Sequence, residues 1–135
     1  MAARRQCTAK TPSEGEATLA LHIRGHREIP PAAEQFAFGA HLGRKWRFDF
    51  AWPMRRLEAL SGRRLAVEIQ GRQHGIKSRM TADHEKLNVA QALGWTVLQF
   101  SPRQVKAGLA IDVLRSIFLD EGDLVDILQR RAQQC

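Results

Sequence analysis

Two stretches in the middle of the chain alternate apolar and polar residues with period two, the spacing of strands with unlike faces. In Trp46-Arg47-Phe48-Asp49-Phe50-Ala51-Trp52, the pattern puts Phe48, Phe50 and Trp52 on one face and Asp49 on the other. In Arg64-Leu65-Ala66-Val67-Glu68-Ile69-Gln70-Gly71, Leu65, Val67 and Ile69 share a face, while Ala66, Glu68 and Gln70 share the opposite one. Gln35-Phe36-Ala37-Phe38 reads as a short strand before them, and Trp95-Thr96-Val97-Leu98-Gln99-Phe100 as a last core strand. Pro53 is expected to end the Asp49 strand, and Met54 to Gly62 leaves room for one helical turn at Leu57, Ala59 and Leu60.

Helical spacing fills the gaps between these strands. Ser13 is a good N-cap for a helix to about Arg24, stopped by Gly25, and Glu16 three residues on completes a capping box. Thr81 is expected to cap a second helix ending at Leu93-Gly94, with Ala82, Lys86, Val89, Ala90 and Leu93 on one face. Lys86 is the one charge on that apolar stripe. A snorkelling lysine is the ordinary explanation of such a position. Ser101-Pro102 opens a third helix with Val105, Leu109, Val113 and Ile117 as its stripe. Gly122 interrupts it, and Asp123 starts a final short helix that is either a lid on the core or a dimer face.

Composition narrows the class. The chain has 135 residues, 44% apolar and 26% charged, which suits one soluble globular domain with one core. Residues 1–12 read as a flexible basic arm, residues 13–118 as the folded domain and residues 119–135 as the C-terminal helix. The net charge of +7 is unevenly spread. Residues 44–106 carry thirteen basic and five acidic residues, a net +8, while residues 107–135 carry three and five, a net −2. Positive charge on the segment that holds the alternating strands suits a polyanionic partner. The two cysteines, Cys7 and Cys135, make neither a metal-ligand spacing nor a disulfide framework, and point to the reducing cytoplasm. No apolar run approaches the roughly 18 residues that span a membrane.

Two acids on the polar faces of core strands need compensation, because an ionised carboxylate away from water is costly unless paired or bound to metal. Each alone could pair with a nearby arginine. On neighbouring strands, Asp49 and Glu68 would converge as hard oxygen ligands suited to Mg²⁺ or Mn²⁺. Asp49 followed by Glu68-Ile69-Gln70 at the end of an apolar strand resembles the PD-(D/E)xK nuclease superfamily. Four blocks carry a closer likeness: Arg47 to Pro53, Leu65 to Ile69, Glu85 to Asn88, and Leu93 to Phe100. Together they resemble small endonuclease-like proteins of phages and prophages, related to Holliday-junction resolvases and very-short-patch-repair-type nucleases. The likeness covers roughly residues 13 to 115.

The resemblance implies an α/β fold with a restriction-endonuclease-like core, a mixed four-stranded sheet in the order α-β-β-β-α-β, followed by C-terminal helices. Met54 to Gly62 is then an insertion. The implied activity is a metal-dependent DNA endonuclease, with Asp49, Glu68 and the backbone carbonyl of Ile69 or Gln70 holding Mg²⁺. Glu16 matches the first-helix acid that often joins such a site, a role compatible with capping. The family's lysine two residues after the glutamate is replaced here by Gln70, which cannot act as a base but can hydrogen-bond water. Some members carry the lysine on the second helix, which makes Lys86 the candidate replacement.

Arg44, Lys45, Arg47, Arg72, His74, Lys77 and Arg79 are candidate DNA contacts, the last four in a glycine-bearing loop able to approach a phosphate backbone. So small a chain has little room for a sequence-reading domain, which favours branched or otherwise non-B-form DNA read by shape. A symmetric junction would call for a homodimer. If phage-encoded, the protein would work in the cytoplasm of a bacterial host. A catalytically impaired DNA-binding module is the competing expectation, motivated by Gln70 and the inserted segment.

Overall fold

The computed structural model describes residues 13–71 and 77–132, with the backbone alone for residues 77–83 and 132. Helix α1 (Glu14–Arg24) leads into strand β1 (Ala33–Ala37), β2 (Arg47–Leu57) and β3 (Arg63–Ile69). Helix α2 (Lys77–Ala92) crosses to β4 (Trp95–Phe100), and α3 (Pro102–Lys106), α4 (Leu109–Phe118) and α5 (Leu124–Ala132) complete the chain. The strands form one mixed sheet in the order β1-β2-β3-β4. The first two pairings are antiparallel and β3–β4 is parallel, a pairing that needs a crossover such as α2. The protein is thus α/β, with the expected helix–strand order. No helix among the described residues is long and apolar enough to cross a membrane.

Each face of the sheet has its own core. One core gathers Leu19 and Ile23 of α1, Phe50 and Trp52 of β2, Leu65 and Val67 of β3, and Val105, Val113 and Leu114 of the later helices. The other holds Phe38, Phe48, Ala51, Ala66, Ala90 and Trp95. Phe38 stacks on Phe48 with ring centroids 4.0 Å apart, and Phe48 tilts against Trp95 at 5.0 Å. The strict alternation read along β2 therefore fails at one step. Phe48 does not share a face with Phe50 and Trp52; the strand turns over at Asp49, between them.

Several element boundaries differ from the sequence reading, and β1 spans Ala33–Ala37 where Gln35–Phe38 is expected. Strand β2 runs through Pro53 to Leu57 instead of ending there. The proline is tolerated because the ladder to β1 ends at Ala33↔Ala51 and the β2–β3 register is interrupted between Trp52 and Leu57, so its missing N–H costs no ladder bond. The expected helical turn is a 3-10 turn at Glu58–Leu60. Helix α2 begins at Lys77, which places Thr81 inside it and not at its cap. The single helix expected after Ser101 is two, α3 and α4. Gly108 between them has φ +90°, a left-handed conformation that interrupts a right-handed helix and that glycine adopts without strain.

The expected capping box at Ser13 is formed, and the expected cap Ser101 turns out to make a capping box as well. The Ser13 hydroxyl accepts from Glu16 N–H while the Glu16 carboxylate accepts from Ser13 N–H, each at 3.2 Å, and Ser101 and Gln104 repeat the arrangement. Helix α5 packs on α4, with Ile127 fully buried, so its inner face closes the main core as a lid. The basic arm expected at residues 1–12 lies outside the described residues.

Candidate metal and nucleic-acid site

Five elements deliver polar groups to one end of the sheet, where β2 begins and β3 ends. Carrying the Phe50↔Val67 register one step outward sets Asp49 across from Glu68. Asp49 Oδ2 accepts from Ile69 N–H at 2.8 Å, which ties the carboxylate to the residue after Glu68. Glu68 is almost fully buried (7% exposed), and its Oε2 accepts from Lys86 Nζ at 2.7 Å. Lys86 also lies 5.9 Å from the centre of the Phe48 ring. Its ammonium is therefore turned inward to a carboxylate on the sheet, not outward as a snorkelling lysine would place it.

Glu16 arrives from the other face. Helix α1 meets the end of β3 so closely that a Cβ at Gly15 would lie 3.1 Å from Ile69 Cγ2, tight enough that the Ile69 side chain would have to give way by a few tenths of an ångström. The approach places Glu16, the next residue, near Asp49. Gln35 of β1 bridges the two acids, its Nε2 donating to Glu16 Oε2 at 2.7 Å and to Asp49 Oδ1 at 3.3 Å. Glu16 thus keeps its capping role and joins the cluster as well. Gln35 was not singled out from the sequence, where it is one polar residue at the start of a short strand. It adopts φ +51°, a left-handed conformation that costs a non-glycine residue about 1 kcal/mol.

Burial holds the Asp49 carboxyl above its ordinary value of 3.8, and the neighbouring charge of Glu16 pushes it the same way. The Ile69 N–H, the Gln35 amide and the Lys86 charge oppose that rise without cancelling it. Among the described residues, three carboxylates thus share this end of the sheet with Lys86. Such an excess of hard, negative oxygen donors suits a divalent cation. The fit rests on Asp49 and Glu68 with a backbone carbonyl such as that of Ile69. Among the described residues, no three His, Cys, Asp or Glu side chains group as a ready metal cage.

Gln70 is half-buried just beyond β3, where its N–H donates to the Phe100 carbonyl at 2.8 Å. Arg44, Lys45 and Arg47 are exposed just before and at the start of β2, beside the acidic cluster in the chain. Arg44 is partly engaged, pairing with Glu85 at 2.6 Å and lying 4.8 Å over the Trp46 ring. Arg72 and His74 lie outside the described residues, as do the side chains of Lys77 and Arg79. At the opposite end of the sheet, Arg55 and Arg56 are exposed, whereas Arg63 and Arg64 serve the fold. Arg63 donates to the carbonyls of Gln91 and Trp95, and Arg64 donates to the Leu93 carbonyl and stacks 4.5 Å over Trp95. A cavity of about 510 Å³ between the end of α1 and β1, lined by Ala20, Ile23, Arg24, Ile29 and Phe50 among others, includes none of the candidate site residues.

An uncharacterized protein of Mycobacterium tuberculosis, matched in two strains, is 32% identical to this chain over 91 residues. The match takes in 67% of this chain and 30% of the relative, so the chain spans under a third of the length of the curated proteins it matches. No family model matches the sequence. No solved structure matches it either.

Proposed function

We propose that the protein is a metal-dependent DNA endonuclease of the PD-(D/E)xK type, with a restriction-endonuclease-like core and a preference for branched or otherwise non-B-form DNA. One observation carries the reading. Glu16, Asp49, Glu68 and Lys86 stand on α1, β2, β3 and α2, far apart in the chain, yet they meet at one end of the sheet through Gln35, Ile69 N–H and the Lys86–Glu68 pair. A structural ion pair needs one acid and one base, and among the described residues this cluster gathers more groups than one such pair.

In this reading Asp49 and Glu68 would hold Mg²⁺, or Mn²⁺ in its place, with the Ile69 carbonyl as a further oxygen donor. A divalent cation at that point supplies activation of water and neutralisation of charge on the scissile phosphate. Lys86, held by Glu68, presents a positive charge where negative charge develops during phosphate attack. Gln70 orients the water by hydrogen bonding. Arg44, Lys45 and Arg47 contact flanking phosphates, which set position and not sequence. Products with a 5′-phosphate and a 3′-hydroxyl follow from the resemblance, as does a homodimer if the substrate is a symmetric junction.

The test is cleavage of a four-way junction, a flap and a plain duplex in Mg²⁺, Mn²⁺ or EDTA. Paired nicks in the junction alone establish a resolvase, and cutting of all three points to a general or repair nuclease. The replacement of the family's lysine by Gln70 favours a second reading, a DNA-binding module without catalysis. Salt-sensitive binding unchanged by Mg²⁺, with no cleavage of any substrate, would select it.

A further inference from the structure

We propose that Gln35 is the positioning residue of the acidic cluster, holding the carboxylates of Glu16 and Asp49 together where a divalent cation would bind. The proposal rests on the metal-dependent reading above. Three non-glycine residues among those described have positive φ: Gln35, Ser61 and Asp120. Ser61 caps the Glu58–Leu60 turn and Asp120 follows the cap of α4, places where a left-handed residue is ordinary. Gln35 lies inside a strand. The β1–β2 ladder keeps one register on both sides of it, with Glu34↔Phe50 before and Phe36↔Phe48 after. No turn or slipped register demands its conformation.

The conformation has a consequence for direction. Glu34 pairs with Arg24 of α1, whereas Phe36, two residues on, meets Trp95 in the opposite core. Strand β2 turns over at Asp49, the residue facing Gln35 in that register. The amide of Gln35 comes to lie between two acids that would otherwise repel each other. Its two N–H groups are spent on Glu16 at 2.7 Å and Asp49 at 3.3 Å. Without that bridge the Glu16 side chain would keep only the Ser13 N–H to orient it. Gln35 therefore converts a helix-capping side chain into a member of the site, as residues behind metal ligands commonly fix the direction of those ligands.

The experiment measures Mn²⁺ binding to the full chain by the electron paramagnetic resonance signal of free Mn²⁺, for wild type, Gln35→Met and Gln35→Gly. Methionine keeps the length and removes both hydrogen bonds. Glycine adopts φ +51° without strain, so it carries the test if the methionine variant fails to fold. Both variants are expected to bind Mn²⁺ about tenfold more weakly, the scale of a lost ligand-orienting contact. The Mn²⁺ concentration for half-maximal cleavage rises with it, while the rate at saturating Mn²⁺ stays near wild type. Folded variants that bind Mn²⁺ as tightly as wild type overturn the proposal and leave Gln35 a structural residue. A wild-type chain that binds no Mn²⁺ removes the metal-dependent reading itself, and this proposal with it.

Discussion

Strand β3 carries charge at both ends, and the two ends use it differently. At its start, Arg63 and Arg64 donate to backbone carbonyls of Gln91, Leu93 and Trp95 around the end of α2 and the start of β4. The Gln91 and Leu93 carbonyls lie where a helix terminus leaves acceptors over, so the two arginines act in part as caps, and one of them stacks on an indole. At its end, Glu68 meets a lysine, but Asp49 and Glu16 stand nearby with an amide and a peptide N–H as their neutral donors. One end balances its charge with the dipoles of the fold. The other gathers three carboxylates around Lys86 among the described residues, with Asp49 held above its ordinary pKa. Charge that the fold does not neutralise is a better pointer to chemistry than charge alone.

The sharpest way to break this contrast is to mutate one residue from each end. Asp49→Asn or Glu68→Gln is expected to reduce cleavage roughly a hundredfold or more, with the fold and most DNA binding retained. Arg64→Ala should leave cleavage per folded molecule unchanged and cost about 2 kcal/mol of stability, from a lost carbonyl bond and a lost contact with Trp95. Urea unfolding and a single-turnover cleavage assay on the same preparations decide it. Normal cutting by either acid variant would remove Asp49 and Glu68 from the site, and loss of activity in Arg64→Ala would erase the distinction between the ends.

Lys86→Ala gives a smaller, mixed effect. It leaves Glu68 buried without its lysine, which is expected to cost about 3 kcal/mol, and to slow cleavage while DNA affinity stays near wild type. Full activity would make the Lys86–Glu68 pair another structural contact, like the arginines at the far end.

The smallest effect is one of pH. With its folded-state pKa raised, Asp49 favours folding most when protonated; that contribution is complete below the ordinary value of 3.8 and is lost as pH rises through the raised value. In EDTA at pH 7, Asp49→Asn should therefore melt at a higher temperature than wild type. The difference should shrink as the pH falls toward 3.8. A wild type that is the more stable of the two at pH 7 would show that the acidic end carries no excess of charge.

Much of this arrangement was legible before any coordinates. Ser13 with Glu16, and Ser101 with Pro102, announce helix starts because capping is local chemistry written in consecutive residues. Alternation exposed Glu68, since Leu65, Ala66, Val67 and Ile69 around it leave few places for a carboxylate. Lys86 stood out as a charge on an apolar stripe. What escaped depended on partners distant in the chain. Pro53 looked like a stop because the sequence does not reveal that β2 lacks ladder partners there. The turnover at Asp49, and with it the placing of Phe48 in the second core, lies across from the left-handed Gln35 on the neighbouring strand, a pairing that local sequence does not announce. Gln35 has nothing in its own surroundings to mark it. Thr81 is a plausible cap in sequence, yet α2 already runs through it from Lys77.

The parallel pairing of β3 with β4 also sets an order in time. Strands β1 to β3 are joined to antiparallel neighbours and can pair soon after they leave the ribosome. Lys86 follows Glu68 by eighteen residues and sits on a helix that docks as the chain returns to form β4. A nascent chain that stops short of that return holds the acids without the lysine. If the protein cuts DNA as proposed, the unfinished molecule is harmless, and the capacity to cut arises only when the last core strand closes the sheet.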